Sequence, residues 1–424
     1  MSEASTPEIP PRPRRWLLLG CLTPVLVVVA LAVAFFIWAG QQKRTPAKSE
    51  QPEWVPENMR WVAWASPPVV YNGPGELVFY SDFGCAAGDH LPDPQNGITV
   101  TGQRVRCQPG FVSKLVRSPR QLFVHLPAGY DDRGEPLPVI VAIHGFGQRP
   151  HHSVAIFAAA LDEAQRAGRL PKAITVFPDF TLGGTGLDDL TTPWDENGGS
   201  WGVNSNQGRF ADHFTRELLP FILQNYRASD APAKTFLLGG SMGGTIALNF
   251  LLDDPRRFPN VGAFYPGLDL RYSCNGDRLA DYDPQCYRPL TTDDPNRRMT
   301  TNGGIKGRMF TERLFLLPVF DSDKYRGDVW TEDRPVWERV RANNPVDRLR
   351  DKPVDLHGTH IWYVAGDQDD FNIDAQSPIF DELATKAGAE LEPPDHIRPG
   401  RHDLPFFNLY VDETIAWMAK LLAK

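Results

Sequence analysis

Gly239-Gly240-Ser241-Met242-Gly243-Gly244 places one serine between glycines, where a short apolar run at residues 235–238 gives way to a helix-forming stretch at 245–252. Ser241 in a G-x-S-x-G frame can attack a carbonyl carbon when the chain turns sharply from strand to helix at that point. The glycines have a steric reason. Side chains at 239 and 243 would collide with the neighbouring helix and strand. The same turn aims the Met242 N–H and the helix N-terminus at an oxyanion as it forms. Any Gly/Ser-rich loop can match a bare G-x-S-x-G, so the strand before it and the helix after it are what give the match weight.

A serine needs a base, and the chain holds ten histidines. On a nucleophile elbow the acid and then the histidine follow the serine along the chain. That order leaves His357, His360, His396 and His402. The first two precede the strand that should carry the acid. His402 lies in Pro399-Gly400-Arg401-His402-Asp403, just before the last helical stretch, where a base is needed; His396 is the alternative, and its bland reading is a solvated loop histidine. Three carboxylates follow the late apolar run, Asp367, Asp369 and Asp370. Asp369 is preferred and Asp370 is second, the acid's task being to fix the imidazole tautomer and stabilise its charged form. A second oxyanion donor is expected from the Phe146 N–H in His144-Gly145-Phe146, with His144 as loop packing.

These residues need a scaffold. From about residue 120 short apolar runs alternate with amphipathic stretches, which predicts a largely parallel α/β sheet. Strands are expected at 121–126, 139–143, 173–177, 235–238 and 361–365. Helices are expected at 210–226, from 3.6-residue apolar spacing, at 245–252 and at 409–422. Residues 54–118 read as a β-rich extension before the sheet. Residues 269–344 read as an insertion between two late strands, placed where a lid would sit. Phe310, Phe315, Leu316, Trp330 and Trp337 could line an acyl pocket there or form the insertion's own small core.

The chain has 424 residues, 44 basic against 52 acidic side chains and a net charge of −8, which argues against nucleic acid as the main partner. At 42% hydrophobic and 11% aromatic it can fill a sizeable core. Residues 16–40 carry no charge and are long enough to span a bilayer, whereas a signal peptide's apolar core is usually about 7–15 residues. An uncleaved single-pass anchor is therefore expected. It would follow a cytoplasmic tail at 1–15 and precede a polar tether at 41–53. Basic residues flank the span on both sides, so charge leaves the orientation open. The cysteines outside the span form two local pairs, Cys85 with Cys107 and Cys274 with Cys286. Their spacing fits no zinc pattern and predicts two disulfides, hence a catalytic domain outside the cytoplasm. No metal or organic cofactor is implied. His90 and the His151–His152 pair read as solvated rather than as ligands.

Together these features resemble the Putative-esterase (esterase D-like) family of α/β-hydrolases, which includes S-formylglutathione hydrolases, feruloyl and acetylxylan esterases and mycolyltransferases. The likeness is carried by LPAGYD, AIHGFG, GSWGVNSNQGRFADHFTRELLPFI, LLGGSMGG, NNPVDRL, VAGDQDDFN and PGRHDLPFF. It covers residues 110–424 apart from the insertion, within a catalytic domain spanning 119–424. The resemblance implies an α/β-hydrolase fold with Ser241 as nucleophile, Asp369 as acid and His402 as base. It also implies oxyanion donors at Phe146 and Met242, and Trp201 facing substrate. The expected activity is a membrane-anchored, extracytoplasmic serine esterase hydrolysing a carboxylic ester through an acyl-enzyme, with a carbohydrate-linked or lipid-linked ester left open as its substrate. An acyltransferase using the same residues, or a binding protein on a hydrolase fold, are the alternatives.

Overall fold

The computed structural model describes residues 69–71, 73–81, 91–93, 98–101, 105–109, 113–116, 120–146, 148–181, 199–205, 208–269, 341–352, 354–369 and 373–424. The expected anchor at 16–40 and most of the insertion lie outside these residues. So do His90, Asp370 and the side chains of both cysteine pairs. Among the described residues no helix is long and apolar enough to cross a membrane.

A ten-stranded sheet forms the centre. Its strands in chain order are β1 (Glu76–Ser81), β2 (Val105–Pro109), β3 (Gln121–Leu126), β4 (Val139–Ile143), β5 (Ile174–Pro178), β6 (Thr235–Gly240), β7 (Asn260–Phe264), β8 (His360–Gly366), β9 (Glu390–Glu392) and β10 (Ile397–Arg398). They lie in the order β9-β8-β7-β6-β4-β5-β3-β1-β2, with β10 paired to the end of β8. Every pairing is parallel except those of β3, which runs against both neighbours. This is an α/β-hydrolase-like fold with a mostly parallel sheet.

β4, β5 and β7 are buried along their whole length, as strands covered on both faces must be. Successive side chains alternate between two cores. Val139, Val141 and Ile143 enter one, with Phe214, Ile246 and Phe380. Ile140 and Ala142 enter the other, with Phe157, Leu161, Trp417 and Met418. The helices among the described residues are α1 (residues 150–166), α2 (residues 210–225), α3 (Met242–Asp253), α4 (Pro345–Asp351), α5 (Ile373–Lys386) and α6 (Leu404–Leu422). α1 and α6 cover one face; α2, α3 and α5 cover the other.

The structure departs from the sequence expectations in several places. The 54–118 segment does not simply precede the sheet: β1 and β2 extend it, β1 pairing with all of β3. Stacked rings of Phe79 and Phe123, 4.3 Å apart, seal that junction. Beside it, Tyr71 donates to Asp162 at 2.5 Å, and His125 Nε2 lies 3.0 Å from the same carboxylate, so Asp162 gathers both buried side chains. The last helix begins at Leu404, five residues earlier than its apolar period suggests. Asp403 caps it by accepting from the Phe406 N–H, and Pro405 sits in the first turn, where no N–H is required. The helix expected at 210–226 is present but widens to π geometry over His213–Leu218. Pro220 explains this, since it offers no N–H to the carbonyl one turn back. His151 is buried and His152 half-buried, correcting the solvated reading of that pair. The two rings pack 4.1 Å apart, and His152 Nδ1 accepts from the Arg149 N–H at 2.9 Å.

Candidate active site

β6 delivers Ser241 to the C-terminal edge of the sheet, and α3 starts at the next residue. Ser241 has φ 54° and ψ −123°, a conformation that L residues avoid. Its N–H is held by the Phe264 carbonyl at 2.9 Å. The glycines fit their predicted purpose. A Cβ on Gly239 would stand 2.3 Å from the Gly243 carbonyl carbon, and one on Gly243 would stand 2.3 Å from the Ile143 carbonyl oxygen. Strand, turn and helix are therefore closer than any side chain permits, and the first N–H groups of α3 face the turn without intrahelical acceptors.

The loop after β4 is fixed by His144. Its Nε2 accepts from the Phe180 N–H at 2.9 Å, so the proton sits on Nδ1, which donates to the Gly145 carbonyl at 2.9 Å. Burial holds the His144 pKa below its ordinary value, keeping the ring neutral as this arrangement requires. Gly145 donates its own N–H to the Gln148 side chain at 2.9 Å, which ties the loop back on itself. Below it, burial opposes the Asp179 charge. The Arg120 guanidinium, 3.7 Å away, and the Thr181 hydroxyl nevertheless bring its pKa below the usual carboxylate range.

Phe146, Met242 and Trp201 come together although nearly a hundred residues separate the first and second. A Cβ on Gly199 would overlap the Met242 sulfur and lie 3.2 Å from the Phe146 ring. Trp201 is buried, with φ 53°, and its ring is 6.4 Å from that of Phe146.

Two strands along the same edge from β6, β8 leads to Asp369, which is fully buried. Its Oδ2 lies 2.8 Å from His402 Nδ1. Asp367 does something else: it accepts from the Gly400 N–H at 3.0 Å and its own N–H donates to the Arg398 carbonyl, tying the histidine's loop to the strand end. A Cβ on Gly366 would stand 2.2 Å from the Gly400 carbonyl oxygen, so that loop runs directly against β8. His396 is not a loop histidine in solvent. It is buried, stacks on Tyr363 at 4.2 Å and lies 3.6 Å from Asp381, and burial lowers its pKa. His357 pairs with Asp355, and His360 with Glu390.

Sequence reasoning missed Tyr265. It follows directly after β7, and its ring lies 4.2 Å from that of His402. Nothing in an apolar run that stops at Phe264-Tyr265-Pro266 distinguishes it from core. Among the described residues no group of His, Cys, Asp and Glu could hold a metal ion. A serine on a strained turn, backbone N–H groups beside it and an imidazole oriented by a buried carboxylate can together perform nucleophilic acyl chemistry.

The sequence matches the family described as Putative esterase over residues 113–418. No curated protein matches it. Among solved structures, a ferulic acid esterase is 18% identical, with 82% of this chain and 99% of that one covered and a TM-score of 0.46. An S-formylglutathione hydrolase from Agrobacterium tumefaciens is 19% identical over 73% and 92% of the two chains, TM-score 0.49. A ferulic acid esterase from Anaeromyces mucronatus in complex with ferulic acid is 16% identical over 72% and 89%, TM-score 0.40.

Proposed function

The chain belongs to the Putative esterase family and is a serine carboxylic-ester hydrolase, and from that premise we propose that Ser241, His402 and Asp369 carry its reaction. The Ser241 hydroxyl attacks the ester carbonyl carbon while His402 Nε2 takes its proton. The tetrahedral oxyanion is received by the N–H groups of Met242 and Phe146. As the intermediate collapses the C–O bond to the alcohol breaks, and His402 returns the proton to the departing oxygen. Water, activated by the same imidazole, then releases the acid and restores the serine. Asp369 keeps the His402 proton on Nδ1 and stabilises the imidazolium formed in each half-reaction.

The observation that carries this reading is the 2.8 Å contact between His402 and a fully buried Asp369, on the same sheet edge as the elbow serine. Trp201 and Phe146 border the acyl side of the serine in this reading. The uncharged run at 16–40 and the two cysteine pairs support a single-pass anchor with the hydrolase outside the cytoplasm. The test uses the purified chain with Ser241→Ala and His402→Ala on p-nitrophenyl esters of increasing acyl length. Each substitution is expected to lower turnover about a thousand-fold or more. Turnover retained in either would remove that residue from the mechanism, and the acyl-length profile defines the substrate class.

A further inference from the structure

Among the described residues, the non-glycine positions with positive φ are Trp201, Ser241 and Tyr265, at 53°, 54° and 38°. The first two border the candidate site on one side. Strain of this kind gathers where function holds it in place, and a bulky aromatic in the left-handed region is an outlier that its surroundings must enforce. At Tyr265 the enforcing contacts are on view. Its N–H donates to the Val364 carbonyl at 2.6 Å, clamping the turn to the strand that delivers Asp369. Its hydroxyl donates to the Asp403 carbonyl at 3.2 Å, on the residue that follows His402 and caps α6. Burial raises the phenol's pKa, so the donor keeps its proton.

Between these two ties the ring covers the imidazole of His402, with centroids 4.2 Å apart and planes inclined by 41°. It also lies 3.4 Å from where a Cβ on Gly240 would stand, beside the residue preceding Ser241. One side chain thus touches both the nucleophile's turn and the base's loop. The Asp369 hydrogen bond fixes one ring atom of His402, and the inclined Tyr265 ring packed against the imidazole limits its tilt about that atom.

We propose that Tyr265 is a positioning residue, its ring holding the His402 imidazole in register with Ser241 and its bond to the Asp403 carbonyl a minor support of that ring. The proposal rests on His402 being the base. Tyr265→Phe keeps the ring. Tyr265→Asn removes it with a residue that tolerates the left-handed backbone. Turnover is measured per active serine, counted by stoichiometric labelling with a fluorophosphonate, so that loss of folded protein does not enter the rate. Tyr265→Asn is expected to lower kcat roughly 10- to 100-fold with KM changed less than about twofold, as a misplaced catalytic group does. Tyr265→Phe should restore kcat to within about threefold. If Tyr265→Asn loses its cooperative melt, Tyr265→Leu is read the same way. Wild-type kcat per active serine in the ringless variant, with His402→Ala inactive, overturns the positioning role alone. Full activity in His402→Ala overturns the base assignment instead.

Discussion

Asp367 and Asp369 are two residues apart on one loop, and hydrogen bonding separates their tasks. Asp369 is enclosed and meets the imidazole; Asp367 is exposed and holds the Gly400 N–H. Asn in place of Asp369 can present its amide N–H to Nδ1 and favour the wrong tautomer, so Asp369→Asn should lower kcat about 10³- to 10⁴-fold with little change in KM. Asp367→Asn retains an oxygen to accept from Gly400 and should stay within a few-fold of wild type. Steady-state kinetics of the two variants on one ester checks the division. Equal losses would mean that the carboxylates share the role. The sequence narrows the candidate acid to one short run, but spacing alone does not reveal which carboxylate faces inward.

Elements set how far the site can drift, and the joint where the insertion leaves the sheet is built from buried polar side chains. Asn344 donates to Asp269 at 2.7 Å and to Asp347 at 2.9 Å, so the residues flanking the insertion are bound to each other. Gln376 on α5 accepts from the N–H groups of both Leu268 and Asp269. Replacing Gln376 with leucine would strand two buried donors at about 1–3 kcal/mol each. The Gln376→Leu variant should therefore lose roughly 2–5 kcal/mol in urea denaturation. A loss below about 1 kcal/mol would show that water or another group takes over. This joint was not legible beforehand, because Asp269 and Asn344 are 75 positions apart and neither carries a local signal for the other.

Across the whole molecule, burial of neutral histidines links stability to pH. Burial lowers His144, drives His151 well below its ordinary value and brings His152 to about 4. A histidine with a depressed folded pKa is protonated first in the unfolded chain. Stability is therefore unaffected above about pH 6.5 and falls as pH drops from there toward 4, by about 1.4 kcal/mol per pH unit for each proton the unfolded state gains. Unfolding free energies measured between pH 7.5 and 4.5 should show this decline, and His152→Gln should flatten it by about one proton. An unchanged slope in that variant would mean that His152 is protonated in the folded protein too.

What the sequence determined by itself was local. The elbow, the strand–helix alternation and the family resemblance are written in residues adjacent along the chain, because period, turn sterics and helix propensity act over a few positions. Tertiary structure decided what depends on distant segments meeting. It brought β1 and β2 onto the sheet, since a strand edge is completed by any segment that can reach it. It buried His151 and half-buried His152, which the sequence alone reads as solvated. It laid Tyr265 across His402, since a ring at the end of β7 meets a loop 137 residues later only once β7 and β8 lie side by side.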